Sequence, residues 1–120
     1  MGDGPKRLPV AFWRSATGVE PVREWLQSSE KDDRYEIGTA IKTVEFGWPI
    51  GMPVCRPMGS GLWKVRMNLT KGRIARVLFC VDEGQMILLH GFMKKTQKIP
   101  KHDLALARDR KSQIERGGPR

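Results

Sequence analysis

The sequence predicts one α+β domain, a small antiparallel sheet with an N-terminal helical hairpin and a C-terminal helix. Three observations predict this class. Apolar residues recur at helical spacing early in the chain, three short apolar runs separated by tight turns follow, and helical spacing returns near the end. The 120 residues fit a single domain over residues 1–120, with loose ends at residues 1–7 and 117–120.

The N-terminal third is predicted to hold a short strand and two helices. Leu8–Trp13 is an apolar run with aromatic residues, typical of a first strand. Pro21 suits the first position of a helix, and Ser29 followed by Asp32 resembles a capping box that starts a second helix. Gly47 ends the second helix, and the short connection makes the two helices an antiparallel hairpin.

The rest of the chain is predicted to hold a three-stranded meander and a last helix. Residues 48–61 are rich in glycine and proline, which predicts a loop. Strands are predicted over Leu62–Leu69, Arg73–Val81 and Met86–Met93, and their short turns make them antiparallel neighbours. Apolar residues at helical spacing predict the final helix over Lys101–Ile114.

The chain is strongly basic, and the charge is unevenly placed. Lys and Arg total 22 against 13 Asp and Glu, a formal net charge of +9. Such an excess favours a polyanionic partner, because cations attract counter-charged ligands and release counterions on binding. Residues 56–76 hold six basic and no acidic side chains, whereas residues 19–46 hold seven acidic and four basic ones. We therefore expect a basic working face for nucleic acid and an acidic solvated back.

The sequence also indicates a compartment and excludes some chemistry. Two cysteines without an export signal are typical of reduced thiols in a cytoplasmic protein, and no apolar stretch is long enough to span a membrane. The His, Cys and carboxylate spacings match no metal site, so we expect neither a metal nor another cofactor.

Two arginines are predicted to face each other in the sheet. A three-residue turn after Leu69 pairs that residue with Arg73, and stepping back along both strands pairs Arg66 with Arg76. Opposed arginines repel unless an anion lies between them, and an RNA phosphate would supply that charge. Lys64 lies two residues away on the same face. The alternative is that the two arginines pair with carboxylates of the helical hairpin.

A lysine cluster and His90 are further candidates, and His102, at the start of the last helix, is exposed by its pattern. Lys94, Lys95 and Lys98 follow the last strand, either as a solvated run or as a grip on RNA, and a lysine near other cations can act as a base. The predicted hairpin places His90 opposite Val77, on the face of Leu88, where a core histidine is the better interpretation.

Two motifs resemble a known family. Residues 61–66 (GLWKVR) resemble the Gly-Leu-Trp-Glu-Ile-Arg strand of phage-derived HigB-type toxins in the RelE superfamily. Residues 89–100 (LHGFMKKTQKIP) are similar to the Phe-x-Lys-Lys-Thr-x-Lys-Thr-Pro signature of those toxins. The resemblance spans roughly residues 9–116 and implies a RelE-like fold.

The resemblance implies the toxin of a type II toxin–antitoxin pair. Such a protein would be a metal-independent, ribosome-dependent mRNA endoribonuclease that inhibits translation, with the ribose 2′-OH attacking the phosphate. Its partners would be a helix-turn-helix antitoxin and the ribosome with mRNA, with a toxin–antitoxin hetero-oligomer on operator DNA and no membrane. The implied catalytic residues are Arg66, Arg76, Lys94 and Lys95. Five further residues are expected to bind RNA: Lys64, Lys71, Arg73, Lys98 and His102.

The sequence departs from the motifs at two positions and leaves two alternatives open. Lys64 replaces the usual acid of the strand motif, and Ile99 replaces the threonine before Pro100, which removes an N-cap of about 1 kcal/mol. The alternatives are a non-catalytic basic module that only joins its antitoxin, and a general RNA binder that needs no ribosome.

Overall fold

The computed structural model describes residues 6–52, 54–94 and 99–117, and of Lys94 it describes the backbone alone. The predicted loose ends of the chain fall mostly outside these ranges. The helices and strands, in chain order, are β1 (Val10–Phe12), α1 (Pro21–Ser28), α2 (Lys31–Gly47), β2 (Cys55–Gly59), β3 (Leu62–Asn68), β4 (Ile74–Asp82), β5 (Gln85–Lys94) and α3 (Lys101–Glu115).

The five strands form one mixed sheet in the order β1-β5-β4-β3-β2. Neighbouring strands are antiparallel except β1, which runs parallel to β5 and sets Val10 against Met86. The prediction of an antiparallel sheet is therefore wrong at this edge. No hairpin joins β1 to β5, so packing between distant segments sets its direction, and the Met86 amide donates to the Pro9 carbonyl at 2.8 Å.

A short edge strand replaces part of the loop predicted for residues 48–61. β2 pairs antiparallel with β3 and sets Arg56 opposite Lys64. Pro57 is tolerated because β2 lies at the edge of the sheet, where one side of a strand makes no ladder hydrogen bonds. The loop prediction is wrong here because the glycine and proline content favoured a loop, and β2 lacks the alternating polarity that indicates a strand. This strand adds a basic side chain to the sheet.

The helix boundaries follow the sequence signals, with one exception. α1 begins at Pro21 and α2 ends at Gly47, as predicted. The predicted capping box is wrong, because the Ser29 hydroxyl donates to the Trp25 carbonyl at 2.8 Å. α2 begins instead at Lys31, with two acidic residues in its first turn that are stabilised by the positive end of the helix dipole.

The sheet lies between two helical layers, and each layer has its own apolar core. α1 and α2 pack on one face, around a cluster that includes the fully buried Ile37 and Phe79. α3 packs on the other face, where Ala107 and Ile114 join a cluster with Leu78. Burying one large apolar side chain, such as that of Ile37 or Phe79, stabilises the fold by about 1.5–3 kcal/mol. Within the described ranges, no helix has both the length and the apolar character that a membrane crossing requires.

A β-bulge in β5 decides which face His90 occupies. Phe79 pairs with Leu88, but Leu78 pairs with His90, so the residue between Leu88 and His90 is extra. The prediction that His90 lies opposite Val77 on the face of Leu88 is therefore wrong. The extra residue reverses the alternation, and His90 lies on the α3 face of the sheet.

Candidate functional site

Four basic side chains share the α3 face of the sheet near the end of β3. They lie in two adjacent rows, because Arg56 pairs with Lys64 and Arg66 pairs with Arg76. The predicted pairing of the two arginines is confirmed, since the turn after β3 has the assumed length and the Leu69 amide donates to the Arg73 carbonyl at 2.9 Å. We call this group the basic face; its members are Arg56, Lys64, Arg66 and Arg76.

Three members of the basic face are withdrawn from solvent to different degrees. Arg76 is fully buried at 0% exposure, Lys64 is 9% exposed and Arg66 is half-buried. The Arg66 Nε atom is buried and makes no hydrogen bond within the part of the chain that the structure describes. Buried cationic groups cost free energy, so the fold holds positive charge here against a penalty.

The positive charges of the basic face act on one another. Burial lowers the pKa of Lys64, and the neighbouring Arg76, Arg56 and Arg66 lower it further. Burial also lowers the pKa of Arg76, and Arg66 adds to this effect. These directions place the four cations within electrostatic reach, so an anion bound among them would interact with several at once.

Arg73 is not part of the basic face. It lies on the opposite side of the sheet and forms a bidentate ion pair with Asp33 of α2, with distances of 2.7 Å from Nη1 to Oδ2 and 2.9 Å from Nη2 to Oδ1. The hydrogen bond from Arg73 lowers the pKa of Asp33. The Asp33 carboxylate of the helical hairpin therefore pairs with Arg73. Among the described residues, no carboxylate of the hairpin forms an ion pair with Arg66.

The other predicted site residues are spread around the molecule. Lys71 is exposed in the turn between β3 and β4, and His102 is exposed in the first turn of α3. The backbone of Lys94 pairs with Ile74 at the end of β5, one row beyond the pair of arginines. Lys95 and Lys98 lie outside the described residues.

A histidine–carboxylate pair lies beside the basic face. His90 Nε2 and Asp103 Oδ1 are 2.6 Å apart, which joins β5 to the first turn of α3. The His90 ring stacks on Phe92 with 5.5 Å between ring centroids, and Phe92 pairs with Arg76. Within the described ranges, no three His, Cys, Asp or Glu side chains gather as metal ligands would.

Sequence reasoning missed the partnership of His90 and Asp103 for a definite reason. Strict alternation along β5 places His90 in the other core, and the bulge that reverses it has no clear local signal. Asp103 gave no separate signal, because the helix dipole already explains an acidic residue in the first turn of a helix. Nothing in the spacing of the two residues indicates that they meet. Arg56 was missed as well, since its strand was predicted to be a loop.

A family model gives these residues a context. The model described as "Phage derived protein Gp49-like (DUF891)" matches residues 24–112, well over half of the chain. The chain belongs to this Gp49-like family. The Gp49-like family is RelE/toxin-like and is associated with the toxins of toxin–antitoxin pairs. The matched range of this Gp49-like chain contains the whole basic face together with His90 and Asp103. The chain matches no curated protein.

Proposed function

We propose that this Gp49-like protein is a HigB-type toxin of a type II toxin–antitoxin pair, a ribosome-dependent mRNA endoribonuclease that needs no metal. The observation that carries the proposal is the direct opposition of Arg66 and Arg76 on a largely buried basic face. RNA cleavage by the ribose 2′-OH passes through a transition state with more negative charge on phosphorus oxygens than the substrate has. Fixed guanidinium groups in a partly buried site stabilise such charge.

The sheet supplies the preorganisation that this chemistry needs. Arg66 and Arg76 are held on adjacent strands by backbone hydrogen bonds, so their Cα positions do not have to reorganise when charge develops. Lys64 adds charge from the next row, and Arg56 extends the basic face to the sheet edge. Lys94, the last residue of β5, and Lys95 would position the RNA, and the ribosome would order the message in the site.

Burial of the cations favours an enzyme over a surface that only binds. A binding surface gains affinity from exposed Lys and Arg, which contact phosphates without losing hydration in the free protein. Here Arg76 and Lys64 are buried, at a cost that a plain binding role does not require. Charged groups held in unfavourable surroundings are typical of sites that stabilise developing charge.

Membership of the Gp49-like family supports an antitoxin as a partner, and its type and the other partners are part of the proposal. A helix-turn-helix antitoxin would bind and silence the toxin, and the two would form a hetero-oligomer on operator DNA. The protein would act in the cytoplasm, where translating ribosomes and mRNA are found.

The test compares the parent with Arg66→Ala in growing cells and maps mRNA ends by primer extension on a translated message. We expect growth arrest and discrete cuts within codons for the parent, and a loss of cutting of about 10²–10³-fold for Arg66→Ala. Arg23→Ala is the matched control, because Arg23 is exposed on α1 and pairs only with Glu20 at 3.2 Å among the described residues. Undiminished cutting by Arg66→Ala would overturn the assignment.

Binding measurements with the antitoxin and with naked RNA, added to this experiment, separate the two alternatives. A parent protein that binds its antitoxin but never cuts RNA is a non-catalytic module. A parent that binds naked RNA equally well without ribosomes is a general RNA binder, with an affinity that falls with salt at a slope of about −0.7 per neutralised phosphate.

A further inference from the structure

We propose that His90 is the general base of this reaction and that Asp103 is its positioning residue. The inference rests on the proposed endoribonuclease function and assigns a step that the basic residues leave open. The 2′-OH must lose its proton as it attacks, and the sequence favoured Lys94 or Lys95 over His90 as the acceptor. The structure brings a different group to the reacting end of the basic face.

The bulge in β5 places the imidazole next to the phosphate-binding arginines. His90 pairs with Leu78, and the next row on the same face pairs Phe92 with Arg76. Diagonal neighbours on one face of adjacent strands lie about 7–8 Å apart. One ribose with its phosphate spans a gap of this order, so the ribose can lie against His90 while the phosphate lies at the neighbouring basic face, where Arg66 is the half-buried arginine. Without the bulge, alternation would turn His90 toward the other core.

The Asp103 carboxylate determines which ring nitrogen can accept a proton. The 2.6 Å distance between His90 Nε2 and Asp103 Oδ1 fits an Nε2–H donor and a carboxylate acceptor. This bond leaves Nδ1 as the basic atom and fixes the plane of the ring, as carboxylates do for functional histidines in general. Asp103 is only 8% exposed, and the stack on Phe92 restrains the ring from a second side.

The charges around the imidazole come from three elements. Asp103 approaches from α3, Arg76 lies in the neighbouring row on β4, and Lys64 lies in the same row on β3 beyond Leu78. The basic face thus provides cations for the phosphate, while the base itself is held by the Asp103 carboxylate. With His90 as the base, no lysine has to be deprotonated to accept the proton of the 2′-OH.

The step balances without a co-reactant other than water. The 2′-oxygen forms a bond to phosphorus as its proton moves to Nδ1 of His90, and the phosphorus–O5′ bond breaks. The 5′-oxygen leaves with the electron pair and takes a proton from water. The imidazolium then returns its proton to solvent, and the products are a 2′,3′-cyclic phosphate and a 5′-hydroxyl.

The competing role for this pair is a clamp that only ties α3 to β5. His90→Gln separates the two roles, because a glutamine amide can still donate to Asp103 but cannot accept a proton. The assay is single-turnover cleavage of mRNA on purified ribosomes as a function of pH, with toxin binding to the programmed ribosomes measured separately. For the parent, we expect the cleavage rate to fall on the acid side as the base becomes protonated.

We expect His90→Gln to bind the programmed ribosome as the parent does, to cleave about 10²–10⁴-fold more slowly and to lose the acid-side fall. Asp103→Asn should reduce the rate less and shift the acid-side fall. His90→Ala should regain activity in proportion to added imidazole, and this rescue decides the matter if the glutamine variant does not fold. A folded His90→Gln with the parental rate and pH profile overturns the proposal, as does a folded His90→Ala that imidazole cannot rescue.

Failure of this inference differs from failure of the proposed function. If the parent cleaves and Arg66→Ala does not, while His90→Gln is unaffected, the endoribonuclease stands and His90 is structural. If the parent itself does not cleave mRNA on ribosomes, the proposed function has failed, and the assignment of His90 fails with it.

Discussion

Arg66 and Arg76 lie directly opposite each other on adjacent antiparallel strands, on the α3 face of the sheet. Like charges in directly opposed positions destabilise a strand pair by about 0.2–1 kcal/mol. The burial of Arg76 increases this penalty, since less water screens the repulsion. An anion bound between the two guanidinium groups would weaken this repulsion.

We first predict that inorganic pyrophosphate stabilises the parent protein against thermal unfolding. A ligand that binds only the folded state adds RT ln(1 + [L]/Kd), so a concentration of 100 Kd adds about 2.7 kcal/mol. Arg66→Gln should lose most of this ligand-dependent increase in Tm. Without ligand, the variant should be as stable as the parent or more stable, by up to about 1 kcal/mol, because the repulsion is gone.

The control for this prediction is Arg23→Gln, which removes an exposed charge from α1, on the other side of the sheet. It should keep the full pyrophosphate effect. Equal loss of the effect in both variants would mean that pyrophosphate binding depends on the net charge of the protein and not on the basic face.

The register that pairs these arginines was predictable because it depends only on local counting. Alternation defined β3, the turn residues gave the length of the connection, and the pairing followed. Pro21 likewise marked the start of α1 through its fixed φ, and α2 ends at Gly47, two residues before Pro49. Wherever one residue type or one turn decides the geometry, the sequence was a sufficient guide.

Features that depend on distant contacts were not predictable in the same way. The direction of β1 is set by its partner strand, which lies far along the chain, and β2 forms only because β3 offers it an edge. The bulge in β5 reverses the face of His90 and so hid its contact with Asp103. The ion pair of Arg73 with Asp33 was missed for a similar reason, because a helix and a turn meet only in the folded chain.

We next predict that Asp33 contributes to stability at neutral pH and that this contribution disappears in acid. The hydrogen bond from Arg73 lowers the pKa of the folded-state carboxyl below its ordinary value of 3.8. A lowered pKa means that the stabilisation is fully present above the unfolded-state pKa and is lost as pH falls through the folded-state pKa. The free energy of unfolding should thus fall more steeply below about pH 4 in the parent than in Asp33→Asn.

Urea denaturation at several pH values between neutrality and strong acid measures this difference. Asp32→Asn is the matched control, because Asp32 is exposed in the same turn of α2. The control should keep the parental acid dependence. Identical curves for Asp33→Asn and the parent would show that the ion pair does not contribute.

Two glycines should respond in opposite ways to substitution by alanine. A Cβ atom on Gly91 would overlap the Trp25 ring, a clash that forces the ring or the strand to move. Overpacking of this kind costs about 1–3 kcal/mol. Gly38 lies inside α2 with nothing within 4 Å of an added Cβ, so Gly38→Ala should stabilise by about 1 kcal/mol through helix propensity. Denaturation midpoints of the two variants test the packing of α1 against β5; a stable Gly91→Ala would contradict it.

Arg56 and Arg66 should differ in the kinetic parameter that they affect, because one is exposed at the sheet edge and the other is half-buried beside Arg76. An exposed cation contacts the RNA backbone equally in the substrate and in the transition state, so Arg56→Gln should raise KM and leave kcat nearly unchanged. A fixed guanidinium at the reacting phosphate acts on the charge that develops there, so Arg66→Gln should lower kcat by about 10²–10³-fold. Steady-state cleavage on programmed ribosomes resolves the two effects. Equal losses in kcat for both variants would place Arg56 at the reacting phosphate too, and purely KM effects for both would reduce the basic face to a binding surface.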